Sequence, residues 1–438
     1  MLTPANNELL TRTGANAPMG QLFRRFWQPV ALSRQLPVND GTPLRVKVLG
    51  ENLLLFRDSN GDVGLVEPRC PHRGADLYFG RNEECGLRCV FHGWKFDVKG
   101  RAVDLPNVPP GSAYHQTISI KAYPTREFGE IIWGYLGPTE NIPEVPELEF
   151  GMMAAEHRFV TKKLQQCNWA QALEGAIDTS HFSFLHMPAP HVPSNANPDA
   201  PADERRLRWI RNDPMPSFSI TEHDVGFVVG GARRADGDEL YWRSAQFALP
   251  SHSTTPSTLP GENYFGYTFV PIDDETCWIY TYVWNPDRPI GAEERAQLQA
   301  GHGVVAEVDE DFVPLRNLAN NYLIDRQLQK TVTFSGIKGV AEQDAMIQES
   351  QGPISDRSTE HLTATDVAIV QFRRLILGLA RALAEGKEPE APRKHQSYRL
   401  RSGSWMAERS VPFTEVMQQR FGDPVGLMAE ARAPGHQS

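Results

Sequence analysis

The sequence is poor in the features that would place it in several large protein classes. Five cysteines in 438 residues are too few for a disulfide framework and fit a reducing compartment. No apolar run approaches the roughly eighteen residues of a membrane span. Met1 to Asn16 is polar, with no basic start leading into an apolar stretch, so no secretory signal is expected. Positive charge is not in excess: 44 basic against 54 acidic residues give −10, which disfavours nucleic acid or an anionic membrane as partner. Internal repeats are lacking as well. What remains, 40% hydrophobic and 22% charged residues, is the composition of a soluble globular protein with two or three domains, expected in the cytoplasm.

The few cysteines are not scattered. Cys70-Pro71-His72 and Cys89-Val90-Phe91-His92 each offer one thiolate and one imidazole. Zinc sites with two Cys and two His usually present a Cys pair and then a His pair. One Cys and one His per short loop instead suits a [2Fe–2S] cluster of the Rieske type, in which two His replace two Cys on one iron and raise the potential. Gly74 follows the first loop and Gly93-Trp94 closes the second, where glycine permits close backbone approach to sulfur. Cys85 lies outside both loops and reads as a free thiol.

Around these loops, Leu44 to Pro138 is mostly β, with turn signals such as Ser59-Asn60-Gly61-Asp62 between short strands. The prolines between 138 and 146 read as a linker, so a cluster domain over 1–150, with an amphipathic helical segment near Met19 to Trp27, precedes a second domain over 151–438. There a strand near Arg158 to Leu164 leads to a helix from about Asn168. Ser217 to Thr221, Gly226 to Gly230, Leu240 to Phe247, Gly266 to Val270 and Trp278 to Trp284 then read as one large antiparallel sheet with one covered face. Helices are expected over Ala292 to Gln299, around Asp344 and over Thr365 to Ala384, followed by an exposed connector at 385–396 and a mobile tail.

A second group of polar ligand types lies in Asn168 to His186. On a helix, Glu174, Asp178 and His181 share one face. His186 comes five residues after His181, so a helix bend or end is needed to bring both rings to one metal. Two imidazoles and a carboxylate form the facial triad of non-haem Fe(II) oxygenases, which leaves positions for O₂ and substrate. Taken alone, His181 and His186 read more readily as surface or hydrogen-bonded helix residues; a redox cluster upstream, which needs an acceptor, favours the metal reading. For the carboxylate, Asp178 would crowd the metal from the same helix as His181. Asp344, opening a helix in mostly apolar surroundings, is the better candidate, with Asp325, Asp356 and Asp366 as competitors that also read as helix caps or salt-bridge partners.

With these motifs assembled, the chain resembles the oxygenase (α) component of Rieske non-haem iron ring-hydroxylating oxygenases, and more narrowly the phthalate dioxygenase-like branch. The resemblance runs through Pro18-Met19-Gly20, Cys70 to Arg73, Arg88 to Trp94, the Asn168 to His186 run, Glu342-Gln343-Asp344 and Gly352-Pro353-Ile354. It implies an α+β protein: an antiparallel β Rieske domain plus a catalytic domain with a curved antiparallel sheet covered by helices. Cys70, His72, Cys89 and His92 would hold the cluster, and His181, His186 and Asp344 the mononuclear Fe(II). Asp178 would bridge His92 of one subunit to His181 of the next within a homotrimer or stacked hexamer. The implied reaction is cis-dihydroxylation of an aromatic ring with O₂. No nucleotide fingerprint or plant-type Cys-rich cluster is present, so electrons would come from a separate NAD(P)H-dependent flavin/iron–sulfur reductase.

An aromatic carboxylate substrate, phthalate-like or a substituted benzoate, needs a cationic partner, ideally a bidentate arginine. Arg243, on a strand beside Tyr241 and Trp242, is the first choice and Arg208 the second, with Arg233 and Arg234 possible. Two rival readings remain. An O-demethylase or monooxygenase of methoxylated aromatic acids uses the same centres. A Rieske electron carrier needs only about a hundred residues, far fewer than are present.

Overall fold

The structure is a computed structural model; it describes residues 1–189, 191, 202–256 and 262–421. Two four-stranded antiparallel sheets and one three-stranded sheet build the N-terminal half. Arg81–Glu83, Gly86–Arg88, Lys95–Phe96 and Ala102–Asp104 form a small sheet whose second connection carries the Cys89 loop, while the Cys70 loop follows Val63–Val66 of a neighbouring four-stranded sheet. A separate core, with Leu54, Phe56, Leu87 and Phe96 completely buried, lies beneath those loops.

The C-terminal half is dominated by an eight-stranded antiparallel sheet. Its strand order runs Arg158–Gln165, Cys277–Trp284, Tyr264–Pro271, His252–Thr255, Glu239–Ala248, Gly226–Arg234, Ser217–His223. Ser404–Glu408 adds to Glu239–Ala248, pairing Trp242 with Trp405. The expected mobile tail instead buries Tyr398 and Leu400 and contributes the strand Ser404–Glu408 and the helix Phe413–Phe421, and the expected exposed connector at 385–396 buries Ala391. These apolar side chains need cover, which is why the segment packs down.

Helix Trp169–Ile177 crosses the sheet. Asn168 caps it, accepting the Ala170 N–H at 3.1 Å, and ties its start to the Thr11 and Asp274 carbonyls. From behind, Trp169 contacts Phe23 (4.7 Å between ring centres) and Phe372 (5.9 Å), so the N-terminal helices share the core of the C-terminal half. Glu174, on this helix, accepts hydrogen bonds from buried Arg357 and Arg373, and Arg373 also pairs with Glu360. Among the described residues no helix is long and apolar enough to cross a membrane.

Candidate metal centres and substrate cavity

The two cysteine loops have the same hydrogen-bond pattern. Cys70 N–H donates to Ala75 O at 2.8 Å and Gly74 N–H returns to Cys70 O at 2.8 Å; Cys89 N–H donates to Trp94 O at 2.8 Å and Gly93 N–H to Cys89 O at 2.9 Å. Each turn closes on a glycine in the left-handed region, φ +74° at Gly74 and +78° at Gly93. The thiols of Cys70 and Cys89 are buried, and the rings of His72 and His92 lie 4.4 Å apart. Burial, with Cys89 alongside, pushes the Cys70 thiol up to about 11.

This donor set fits a two-iron cluster. His72 Nδ1 is buried with no hydrogen-bond partner, as expected of an atom that waits for a metal. Zinc bonds of ~2.0–2.3 Å would gather four ligand atoms within about 4 Å of one another. Among the described residues one group of three or more such atoms converges within 4.8 Å, and it is not this one; ligands shared between two irons need not converge on one point.

That group is His181, His186 and Asp344. His186 Nε2 lies 3.1 Å from His181 Nε2 and 3.2 Å from Asp344 Oδ1, and His181 Nε2 lies 3.7 Å from the same oxygen. Helix Trp169–Ile177 stops at Asp178, whose backbone is extended, and His181–Ser183 is a separate 3-10 turn. The helix end, not a continuous helix, turns both rings to one point. Glu174, Asp178 and His181 accordingly do not share a face: Glu174 is held by its two arginines, behind the site. Fully buried Arg233 secures the loop, donating to Thr179 O at 2.8 Å and Ser183 Oγ at 3.2 Å. Gly231 lets the loop sit close, because a Cβ there would lie 2.5 Å from Thr179 Oγ1.

Asp344 reaches the site from Val340–Ser350, a helix entered through Gly339 at φ +89°. Its competitors are engaged elsewhere: Asp325 caps Arg326–Thr331, Asp356 accepts from Ser358, and Asp366 accepts from Thr363. Asp178 does not join the three. Its Oδ2 faces His181 Nδ1 at 3.4 Å and its Oδ1 accepts from Ser180 N–H and Oγ–H. Burial opposes its ionisation, but the bonds from His181 and Ser180 hold its carboxyl at about 2. Asp344 is likewise kept below the carboxylate range, against burial, by His186 and His181. Gln343, beside Asp344, meets His186 Nδ1 through Oε1 at 2.6 Å.

The three side chains open on a cavity of about 360 Å³. Its walls are largely apolar, with Phe265, Phe269, Ile279 and Val304, and Tyr267 and Lys163 also face it. Lys163 Nζ donates to Ala341 O at 3.0 Å. Arg243 is buried in the lining, its guanidinium carbon 4.0 Å from the Phe182 ring centre, with Nε and Nη1 unpartnered. Arg206 lines the same cavity from helix Ala202–Asn212 and also has Nε and Nη1 without partners among the described residues.

Arg208 is not in this lining. It binds Asp236 at 2.6 Å; two residues along a helix turn a side chain to nearly the opposite face, so 206 and not 208 looks inward. Arg234 is exposed beside Asp213. Sequence reading also passed over Gln343, Lys163 and Tyr267. Gln343 had a signal in its position next to Asp344; the other two had none beyond strand alternation.

Residues 26–124 match the family described as the Rieske [2Fe-2S] domain, and residues 134–404 match the LigXa C-terminal domain like family. The chain is 38% identical over 395 residues to the phthalate 4,5-dioxygenase oxygenase subunit of Pseudomonas putida, covering 88% of each. It is 35% identical over 435 residues to the 3-chlorobenzoate-3,4-dioxygenase oxygenase subunit of Comamonas testosteroni, covering 96% of this chain and 99% of that one. Its fold is similar to that of Pseudomonas putida CBB5 NdmA with caffeine, at TM-score 0.57 and 19% identity over 86% of this chain and 96% of that one. The chain thus belongs to the oxygenase components of the Rieske non-haem iron oxygenases, in the phthalate dioxygenase-like branch, whose members carry a [2Fe–2S] cluster and a mononuclear iron.

Proposed function

We propose that this protein cis-dihydroxylates an aromatic carboxylate, phthalate-like or a substituted benzoate, in a reaction that consumes O₂, two electrons and two protons. The observation that carries this reading is one apolar cavity joining His181, His186 and Asp344 to two arginines, Arg206 and Arg243, that have no acid partner among the described residues. A buried guanidinium without an anion is costly, and a substrate carboxylate removes the cost. The aromatic walls hold the ring, and the arginines fix which edge of it turns toward the His181 end.

Cys70, His72, Cys89 and His92 are the residues to hold the cluster, in a domain over 1–150, and His181, His186 and Asp344 those to hold the iron, in a domain over 151–438. When bound, the cluster supplies electrons one at a time and the iron activates oxygen. Asp178 orients His181 through Nδ1, and its carboxylate, 23% exposed, would accept His92 of a second copy. Exposed Val90 and Phe91 at the second cysteine loop, and exposed Phe184, Val332 and Phe334 beside the iron loop, support head-to-tail contact between copies. The expected assembly is a homotrimer or stacked hexamer in the cytoplasm, reduced by a separate NAD(P)H-dependent protein.

The test is turnover of benzoates, phthalate isomers and methoxybenzoates with a surrogate reductase, following O₂ uptake and product together. A cis-dihydrodiol is expected. Formaldehyde with a phenol would replace this reading by O-demethylation, and no uptake with any carboxylate would remove it.

A further inference from the structure

We infer that Gln343 is a positioning residue that fixes the proton of His186 on Nδ1 and so presents a bare Nε2 to the metal; this rests on His181, His186 and Asp344 forming the metal site. The assignment starts from a backbone carbonyl. Gln343 Nε2 donates to Ile337 O at 2.8 Å, and that oxygen can only accept. The amide oxygen must therefore point the other way, toward His186 Nδ1 at 2.6 Å. An amide oxygen also only accepts, so Nδ1 must carry the hydrogen. In the neutral ring, the form that binds a metal, Nε2 is then left with its lone pair, facing His181 Nε2 and Asp344 Oδ1. The roles of Ile337 O, the Gln343 amide and His186 Nδ1 are thereby fixed, and Gln343 itself is 9% exposed, so water offers little competition.

The consequence is an inequivalent pair of imidazoles. His181 is backed by the carboxylate of Asp178, His186 by a neutral amide. Adjacent residues of one helix thus serve the site differently, Asp344 in contact with the metal position and Gln343 through His186. A neutral partner orients His186 without adding a third anion to Asp178 and Asp344.

The experiment uses full-length protein with its cluster intact, stripped of the mononuclear metal and titrated with Co(II). Gln343→Met is expected to weaken Co(II) binding by about 10- to 100-fold. It should also lose one of the two exchangeable imidazole N–H resonances shifted by the bound ion, while cluster absorption and unfolding midpoint stay at wild-type values. Gln343→Glu, which keeps an acceptor, should bind closer to wild type and retain both resonances. Co(II) affinity unchanged in Gln343→Met, or Gln343→Glu as weak as Gln343→Met, overturns the inference. A tautomer measurement on metal-free wild type is independent of any variant: with 15N-labelled histidine, His186 protonated on Nε2 overturns it as well. Wild type that takes up no more Co(II) than His181→Ala would sink the metal-site reading and the inference together.

Discussion

Arg243 sits over the Phe182 ring, its guanidinium carbon 4.0 Å from the ring centre, in the wall of the cavity that His181, His186 and Asp344 share. The cation–π contact holds the guanidinium in place, and Nε and Nη1 have no acceptor among the described residues. Arg243→Ala should lower kcat/KM for a benzoate by roughly 10- to 100-fold, the loss of a charged hydrogen bond, mostly through KM. Arg243→Lys should recover only part of this, because an ammonium neither stacks nor binds in a fork. Steady-state kinetics against a neutral ring of similar size provide the control, for which the arginine should matter little.

The cysteine loops separate backbone strain from collision. Both Gly74 and Gly93 have positive φ, but a Cβ at Gly74 meets nothing within 4 Å, whereas at Gly93 it would sit 2.7 Å from Pro106 Cγ. Gly74→Ala should cost about 1–2 kcal/mol of local strain and keep most of the cluster. Gly93→Ala should lose substantially more. Iron and acid-labile sulfide per chain, measured on both variants, read the difference.

Behind the iron loop, Glu174 offsets two buried guanidiniums at once. Glu174→Ala leaves Arg357 with no acid partner among the described residues and Arg373 with Glu360 alone, and should destabilise the protein by ~3–5 kcal/mol. Urea unfolding followed by tryptophan fluorescence measures it, with Glu360→Ala, at the more open end of the network, expected to cost less.

Stability should fall in acid through His252. The ring is 3% exposed, with Nδ1 against Thr268 Oγ1 at 2.7 Å, and burial pushes its pKa down to about 3. Its unfolded value is about 6.5, so between those limits the unfolded chain holds one proton more than the folded one. The His252 contribution is fully present above about pH 6.5 and is lost as pH falls toward 3, at up to ~1.4 kcal/mol per pH unit. Chemical unfolding at pH 7.5, 6 and 5 should show a shallower slope in His252→Gln than in wild type.

How much of this was legible in the sequence follows from how local each signal is. The cysteine loops and the two histidines sit in short runs whose residue types alone suggest ligands. Asp344 was reachable because an acid amid apolar neighbours needs a reason to be there. Arg206 was not: with no helix expected over Ala202–Asn212, the Arg205-Arg206-Leu207-Arg208 run had no phase, and Arg208, outside the cavity lining, ranked second after Arg243. The strand Ser404–Glu408 was missed because five residues with weak alternation acquire their conformation from pairing with Glu239–Ala248.

The most direct measurement of the central claim is product analysis under ¹⁸O₂ with an aromatic carboxylate and a surrogate reductase. The expected result is a cis-dihydrodiol with both hydroxyl oxygens labelled, formed by protein holding about three irons per chain and abolished in His181→Ala. A singly labelled phenol with formaldehyde, or a protein with about two irons per chain and no O₂ uptake, would contradict it.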